Sequence, residues 1–168
     1  MQASKFIRDQ GIPLATKVIN SAPGNAESYW AGNWGGYYFR EKPNFQFHNG
    51  IHEYWNITEN NGEYFKKRGF DPVILKDLKR LVDSFETVGL WGGISAARAH
   101  LQSLENRCSN GGSVAIREQY KILHLAIRDY ESIFLIPCTH GFDVACLICC
   151  FGTVDGERVY RIQGDNHE

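Results

Sequence analysis

The side chains best equipped for chemistry crowd into one stretch near the C-terminus: Cys138-Thr139-His140, followed by Cys146 and Cys149. Four soft ligands this close together would suit zinc, which takes thiolates and imidazoles in a tetrahedron. Paired zinc ligands normally sit on tight turns that bare backbone N–H groups to the sulfurs. Here Leu147-Ile148 separates the last two, inside the apolar run Val144-Ala145-Cys146-Leu147-Ile148-Cys149-Cys150-Phe151. On a strand Cys146 and Cys150 point one way and Cys149 the other, so the thiolates diverge. The expected reading is a core strand whose cysteines act as small buried hydrophobes, with a metal site as the competing one.

A second candidate is His48-Asn49-Gly50-Ile51-His52-Glu53. Two histidines four apart would chelate on a helix, but Asn49-Gly50 is a turn signal that places them on different strands. Two solvated histidines beside a turn are expected. Nucleophilic catalysis finds no support: there is no Gly-x-Ser-x-Gly, and Cys138 near His140 is a local coincidence. The glycine clusters lack the Lys-Ser/Thr or Gly-x-Gly-x-x-Gly context of a phosphate cradle. No catalytic residue and no cofactor are expected.

The 168 residues are 43% hydrophobic, 22% charged and 13% aromatic, with a formal charge of −1. That is a globular composition with no global basic field for nucleic acid. A single α+β domain over 1–168 is expected, with subdomains at 1–70 and 71–168 as the alternative. The N-terminal MQASKFIRDQ lacks the apolar centre of a secretory signal, and the longest apolar run is too short to span a bilayer. Five cysteines, four of them between Cys138 and Cys150, suggest reduced thiols in the cytosol rather than a disulfide frame. No membrane association is expected.

These residues must be positioned by alternating helical and strand blocks. Ser4 is a candidate N-cap for a short helix ending near Gly11, and Pro13 suits the first turn of the next. Leu14, Ala15, Val18 and Ile19 share one face of that second helix, which Pro23-Gly24-Asn25 stops. Between Tyr29 and Phe70 lie 13 of the 22 aromatic residues, punctuated by Gly35-Gly36, Asn49-Gly50 and Asn60-Asn61-Gly62. Strands near 36–41, 44–48, 51–58 and 63–67 would form an antiparallel meander. A helix from about Val73 to Val88 has the stripe Ile74, Leu75, Leu78, Leu81, Val82, Phe85, Val88. Ser95 and Ser113 are candidate caps for two more helices, the second carrying Ile116, Tyr120, Leu123, Ile127 and Tyr130. Ile133–Ile136, Val144–Phe151 and Arg158–Ile162 are strand candidates, the last two joined around Asp155-Gly156.

Gly11-Ile12-Pro13-Leu14-Ala15 is echoed by Gly93-Ile94-Ser95-Ala96-Ala97, 82 positions further on. Each copy follows one helical segment and opens another, so the fold is expected to contain a pseudo-duplicated helical unit beside its antiparallel sheet. The run Leu75-Lys76-Asp77-Leu78-Lys79-Arg80-Leu81-Val82-Asp83-Ser84, with Gly92-Gly93-Ile94 and Ala97, resembles a module of accessory proteins from temperate enterobacterial phages. So does Phe6-Ile7-Arg8-Asp9 with Gly11-Ile12, Ala22-Pro23, Ala26 and Tyr29. The resemblance covers about Lys5–Tyr29 and Val73–Leu104. It implies a phage or prophage origin and action inside a bacterial host, and it carries no catalytic residues. The second copy has Ser103-Leu104-Glu105 in place of the Ala-Pro exit.

The functional lead is the aromatic meander, which holds more aromatics than one buried sheet face needs. Trp30, Trp34, Tyr37, Tyr38, Trp55 and Tyr64 are the candidate partner-binding residues, since exposed Trp and Tyr anchor protein interfaces. Adjacent pairs such as Tyr37-Tyr38 must point to opposite faces of a strand, leaving one exposed unless helices cover both. Two functions follow. One is a non-enzymatic phage protein that docks on and inhibits a host protein, such as a defence or nuclease system. The other is a nucleic-acid-binding regulator that stacks bases on the sheet beside Arg40, Lys42, Lys66, Lys67 and Arg68.

Overall fold

The computed structural model describes residues 1–32, 35–42, 44–134, 151–154 and 157–160. The architecture is α+β, in two compact units, Met1–Val82 and Asp83–Glu168. The division falls inside a helix, not at the change in composition near residue 70.

The first unit opens with helix α1 (Ala3–Asn20), which is two helical segments joined at Gly11 (φ 82, ψ 158). That conformation is open to glycine and very little else. Pro13 follows in the first turn of the second segment, where its missing N–H has no intrahelical acceptor to lose. Phe6, Ile7, Ala15 and Val18 are buried along α1. The residue preceding α1 is Gln2, and no side chain caps the helix, so Ser4 lies within the first turn instead of capping it. The predicted stop is present: the Ala26 N–H donates to Pro23 O (3.1 Å), and Asn25 is left-handed (φ 64).

A five-stranded antiparallel sheet follows: β1 (Ser28–Gly32), β2 (Gly35–Arg40), β3 (Gln46–His48), β4 (Asn56–Ile57) and β5 (Val73–Ile74), in the order β4-β3-β2-β1-β5. Two expected strands are present as β2 and β3. The expected strand at 51–58 is reduced to Asn56–Ile57, because the Asn49 side chain builds a turn of its own. Its Oδ1 accepts the N–H groups of Ile51 (3.0 Å) and His52 (3.1 Å), and Gly50 is left-handed. The connection is thus a loop over 49–55 rather than a two-residue hairpin.

The expected strand at 63–67 is instead helix α2 (Glu63–Lys66), entered through a left-handed turn at Asn60, Asn61 and Gly62 (φ 51, 51 and 79). Strands β1 and β5 are additional to those the sequence predicts. Val73–Ile74 pairs with β1 through Tyr29↔Val73, so the helix expected from Val73 begins at Leu75 and Ile74 is exposed.

Helix α3 (Leu75–Leu90) buries Leu75, Leu78, Leu81, Val82, Ser84 and Val88. The second unit continues with α4 (Ile94–Ser109) and α5 (Val114–Phe134). Its core is Val88, Ile94, Ala97, Leu104, Leu123, Ala126 and Ile127. Gly93 (φ 98, ψ 178), not Ser95, precedes α4. Ser113 does cap α5, accepting the Ile116 N–H at 3.4 Å. Ile133 and Phe134 lie in α5 rather than in a strand: Ala126, Ile127, Tyr130 and Ile133 keep the three-to-four spacing of a helix face. Strands β6 (Phe151–Val154) and β7 (Glu157–Tyr160) pair in the register Val154↔Glu157. Cys138, His140, Cys146 and Cys149 lie outside the described residues, as does the Asp155-Gly156 connection.

Candidate functional site

Cross-strand partners in an antiparallel sheet project from the same face. Trp30 pairs with Tyr37, and Phe39 with Phe47, so these four aromatics share one face of the β1-β2-β3 sheet. Phe65 of α2 and Phe70 close over that face. Phe65 lies 4.9 Å from Phe39 and 5.3 Å from Phe47 between ring centroids, and Phe70 lies 4.7 Å from Phe39. Most of these contacts are edge-to-face or tilted, which suits the ring quadrupoles. The Asn60-Asn61-Gly62 turn brings α2 here, and Gly62 is required within it. A Cβ at Gly62 would stand 2.5 Å from the Phe45 ring.

The cover is incomplete. Trp30, Tyr37 and Phe47 stay half-buried, Tyr64 is 55% exposed, and between them runs an open groove of about 700 Å³. Charge is concentrated on its α2 side. Arg68 stacks its guanidinium 3.6 Å from the Tyr64 ring centroid and donates from Nη1 to Tyr64 O (3.1 Å). Lys67 meets Glu63 at 3.4 Å in an exposed pair, which holds the two side chains only weakly. Lys66 is exposed beside them.

The opposite face of the sheet belongs to α1. Tyr29 and Tyr38 are cross-strand partners with rings 5.1 Å apart, Phe6 meets Tyr29 edge-on, and Tyr38 Oη donates to Val18 O (2.9 Å). Burial, and then the neighbouring Tyr29 hydroxyl, push the Tyr38 pKa up to about 12, and burial also raises that of Tyr29. Tyr38 is therefore a core residue, and its assignment as a partner-binding residue is corrected: α1 covers it.

Trp55 is also on this side, beside His48 (5.3 Å) and under the Arg40 guanidinium (4.5 Å). The six candidates thus separate. Trp30, Tyr37 and Tyr64 converge on the groove, Tyr38 and Trp55 lie across the sheet from it, and Trp34 falls outside the described residues. Phe47, Phe65 and the Tyr64–Arg68 stack were missed. The i,i+4 spacing of Tyr64 and Arg68 signals such a stack only on a helix, whereas the sequence of this segment reads as a strand.

The histidine candidate also changes. His48 is buried, not solvated, with Nδ1 accepting the Gly50 N–H at 2.9 Å, while His52 is exposed in the loop. Among the described residues no group of three or more His, Cys, Asp or Glu side chains could hold a metal ion. Nor is any helix among them long and apolar enough to cross a membrane.

One further feature escaped the sequence. The loop over 49–55 and strand β4 present Ile51 (84% exposed), Tyr54 (77%) and Ile57 (70%) to solvent within one short segment. That segment is tied down at both ends, by the Asn49 turn and by Thr58, whose N–H and Oγ1 both donate to Phe45 O (3.4 and 3.3 Å). Compared with protein-family models, with curated proteins and with solved structures, the chain matches none.

Proposed function

We propose that this chain is a phage-encoded, non-enzymatic binding protein that acts in the host cytoplasm by docking on a host protein or nucleoprotein complex and inhibiting it. The observation that carries the docking is the segment 51–57. Ile51 and Tyr54 on the loop and Ile57 on β4 stand largely exposed, in a segment whose ends are fixed. Side chains of this kind anchor interfaces once a partner desolvates them, and a pre-ordered loop loses little entropy on binding. The Trp55 ring, which contacts His48 and the Arg40 guanidinium, ties the loop to the sheet. The likeness of the helix–Gly-Ile–helix segments to phage accessory proteins supports the host-directed part of the reading, with a defence or nuclease system as target.

The test is affinity capture from nuclease-treated bacterial lysate with the wild-type chain and with the double variant Ile51→Asp/Tyr54→Ala. A stoichiometric host protein retained by the first and lost by the second, with unchanged circular dichroism, is the expected result. Capture insensitive to the double variant would remove the loop from the interface.

A second reading, a nucleic-acid-binding regulator, is favoured by Lys66, Lys67 and Arg68 beside the aromatic groove. It predicts binding that falls steeply with salt, whereas loop-mediated protein docking changes little.

A further inference from the structure

We infer that the groove between the β1-β2-β3 face and α2 is a binding site for a nucleoside phosphate, taken either as a free nucleotide or as one unit of a single strand. The inference deepens the second reading above and is independent of the docking loop.

Capacity comes first. A groove of about 700 Å³ lies within the range of roughly 300–1,000 Å³ that small organic ligands occupy. Its lining then selects the class of ligand. Trp30, Tyr37, Phe47 and Tyr64 supply its accessible apolar surface, and among the described residues no Leu, Ile, Val or Met side chain lines it. Rings without aliphatic neighbours favour a planar π-system over an acyl chain, because every nucleobase has a face to stack. Thr58 and Asn60 add a hydroxyl and an amide at the same surface, the kinds of group that fix the orientation of a base edge or a ribose.

The anionic end has its own receptor. Arg68 is held flat over Tyr64 and has spent one N–H on Tyr64 O, so the rest of its planar fork is pre-organised for an oxyanion. Lys67 adds a second cation at the lining, paired with exposed Glu63 at 3.4 Å. A peptide occupant fits less well. Its main chain would need a strand edge at the groove, whereas β2 and β3, which carry Tyr37 and Phe47, have a partner strand on each side.

The experiment is a titration of the full chain, followed by calorimetry, with AMP, with GMP and with an oligothymidylate of about ten nucleotides. Arg68→Gln, Tyr64→Ala and, as a control on the second unit, Lys121→Gln are titrated in parallel. Arg68 and Tyr64 are exposed, so neither change should unfold the chain, and circular dichroism verifies this. Saturable mononucleotide binding that weakens roughly tenfold or more in both groove variants, and is unchanged in Lys121→Gln, supports a free nucleotide. Oligothymidylate binding with the same variant pattern and a steep salt dependence supports the single strand. Binding of neither class, or binding indifferent to Arg68→Gln and Tyr64→Ala, overturns the inference. Host-protein capture by Arg68→Gln reads the docking loop separately, so one proposal can fail without the other.

Discussion

Gly11 and Gly93 hold the same unusual backbone conformation, φ 82, ψ 158 in one and φ 98, ψ 178 in the other, each between two helical segments. Both lie in the extended positive-φ region that is essentially confined to glycine. The equivalence extends along the sequence at the same offset. Phe6 and Val88 are fully buried before the two glycines, and Ala15 and Ala97 are fully buried after them. The small alanine, one turn past each glycine, lets the second helix approach its neighbours closely. The repeat is therefore a packing device, with matched core positions around a matched break.

Substitution should separate this role from ordinary glycine flexibility. Gly11→Ala and Gly93→Ala are each expected to destabilise their unit by about 1–3 kcal/mol, since Cβ forbids the conformation. Gly89→Ala should do the opposite. Gly89 lies inside α3, its φ is not positive, and a Cβ there meets nothing within 4 Å, so a gain of about 0.5–1 kcal/mol is expected from helix propensity. Urea unfolding followed by far-UV circular dichroism measures all three.

Tyr38 links the sheet to α1 and makes stability depend on alkaline pH. Its folded pKa of about 12 exceeds the usual 10.0, so the fold favours the neutral phenol. The stability this contributes is complete below pH 10 and is lost as pH rises from 10 towards 12. Tyr38→Phe should lower stability at neutral pH by about 0.5–1.5 kcal/mol, from the lost hydrogen bond to Val18 O. It should also flatten the alkaline decline, with Tyr29 supplying what remains. Unfolding curves collected from below pH 10 up to about pH 12 read both effects.

In the second unit, the Ser84 hydroxyl donates to Asp129 Oδ2 at 3.1 Å, and both side chains are buried. Removing the donor takes one hydrogen bond from a buried carboxylate. Ser84→Ala is expected to cost about 1–3 kcal/mol, while Ser109→Ala should stay within about 0.5 kcal/mol because its bond to Glu105 O is exposed. Equal effects of the two changes would mean that the Asp129 pair adds nothing beyond a surface hydrogen bond.

Helical periodicity, glycine punctuation and the internal repeat were legible in the amino-acid sequence because they are local. A stripe such as Leu75, Leu78, Leu81, Val82, Val88 repeats over several turns, and the Gly11 and Gly93 breaks follow from the absence of a side chain. The α+β class and the antiparallel pairing of β2 with β3 were legible for the same reason. Tertiary structure decided the rest. A segment as short as 63–67 reads equally well at a period of 2 or of 3.6, and only packing of Phe65 against Phe39 and Phe47 makes it a helix. Val73–Ile74 becomes a strand because β1 offers it an edge. Adjacent Tyr37 and Tyr38 had to point to opposite faces. Which one would be buried depended on α1, distant in sequence, covering the Tyr38 face while α2 left the Tyr37 face partly open.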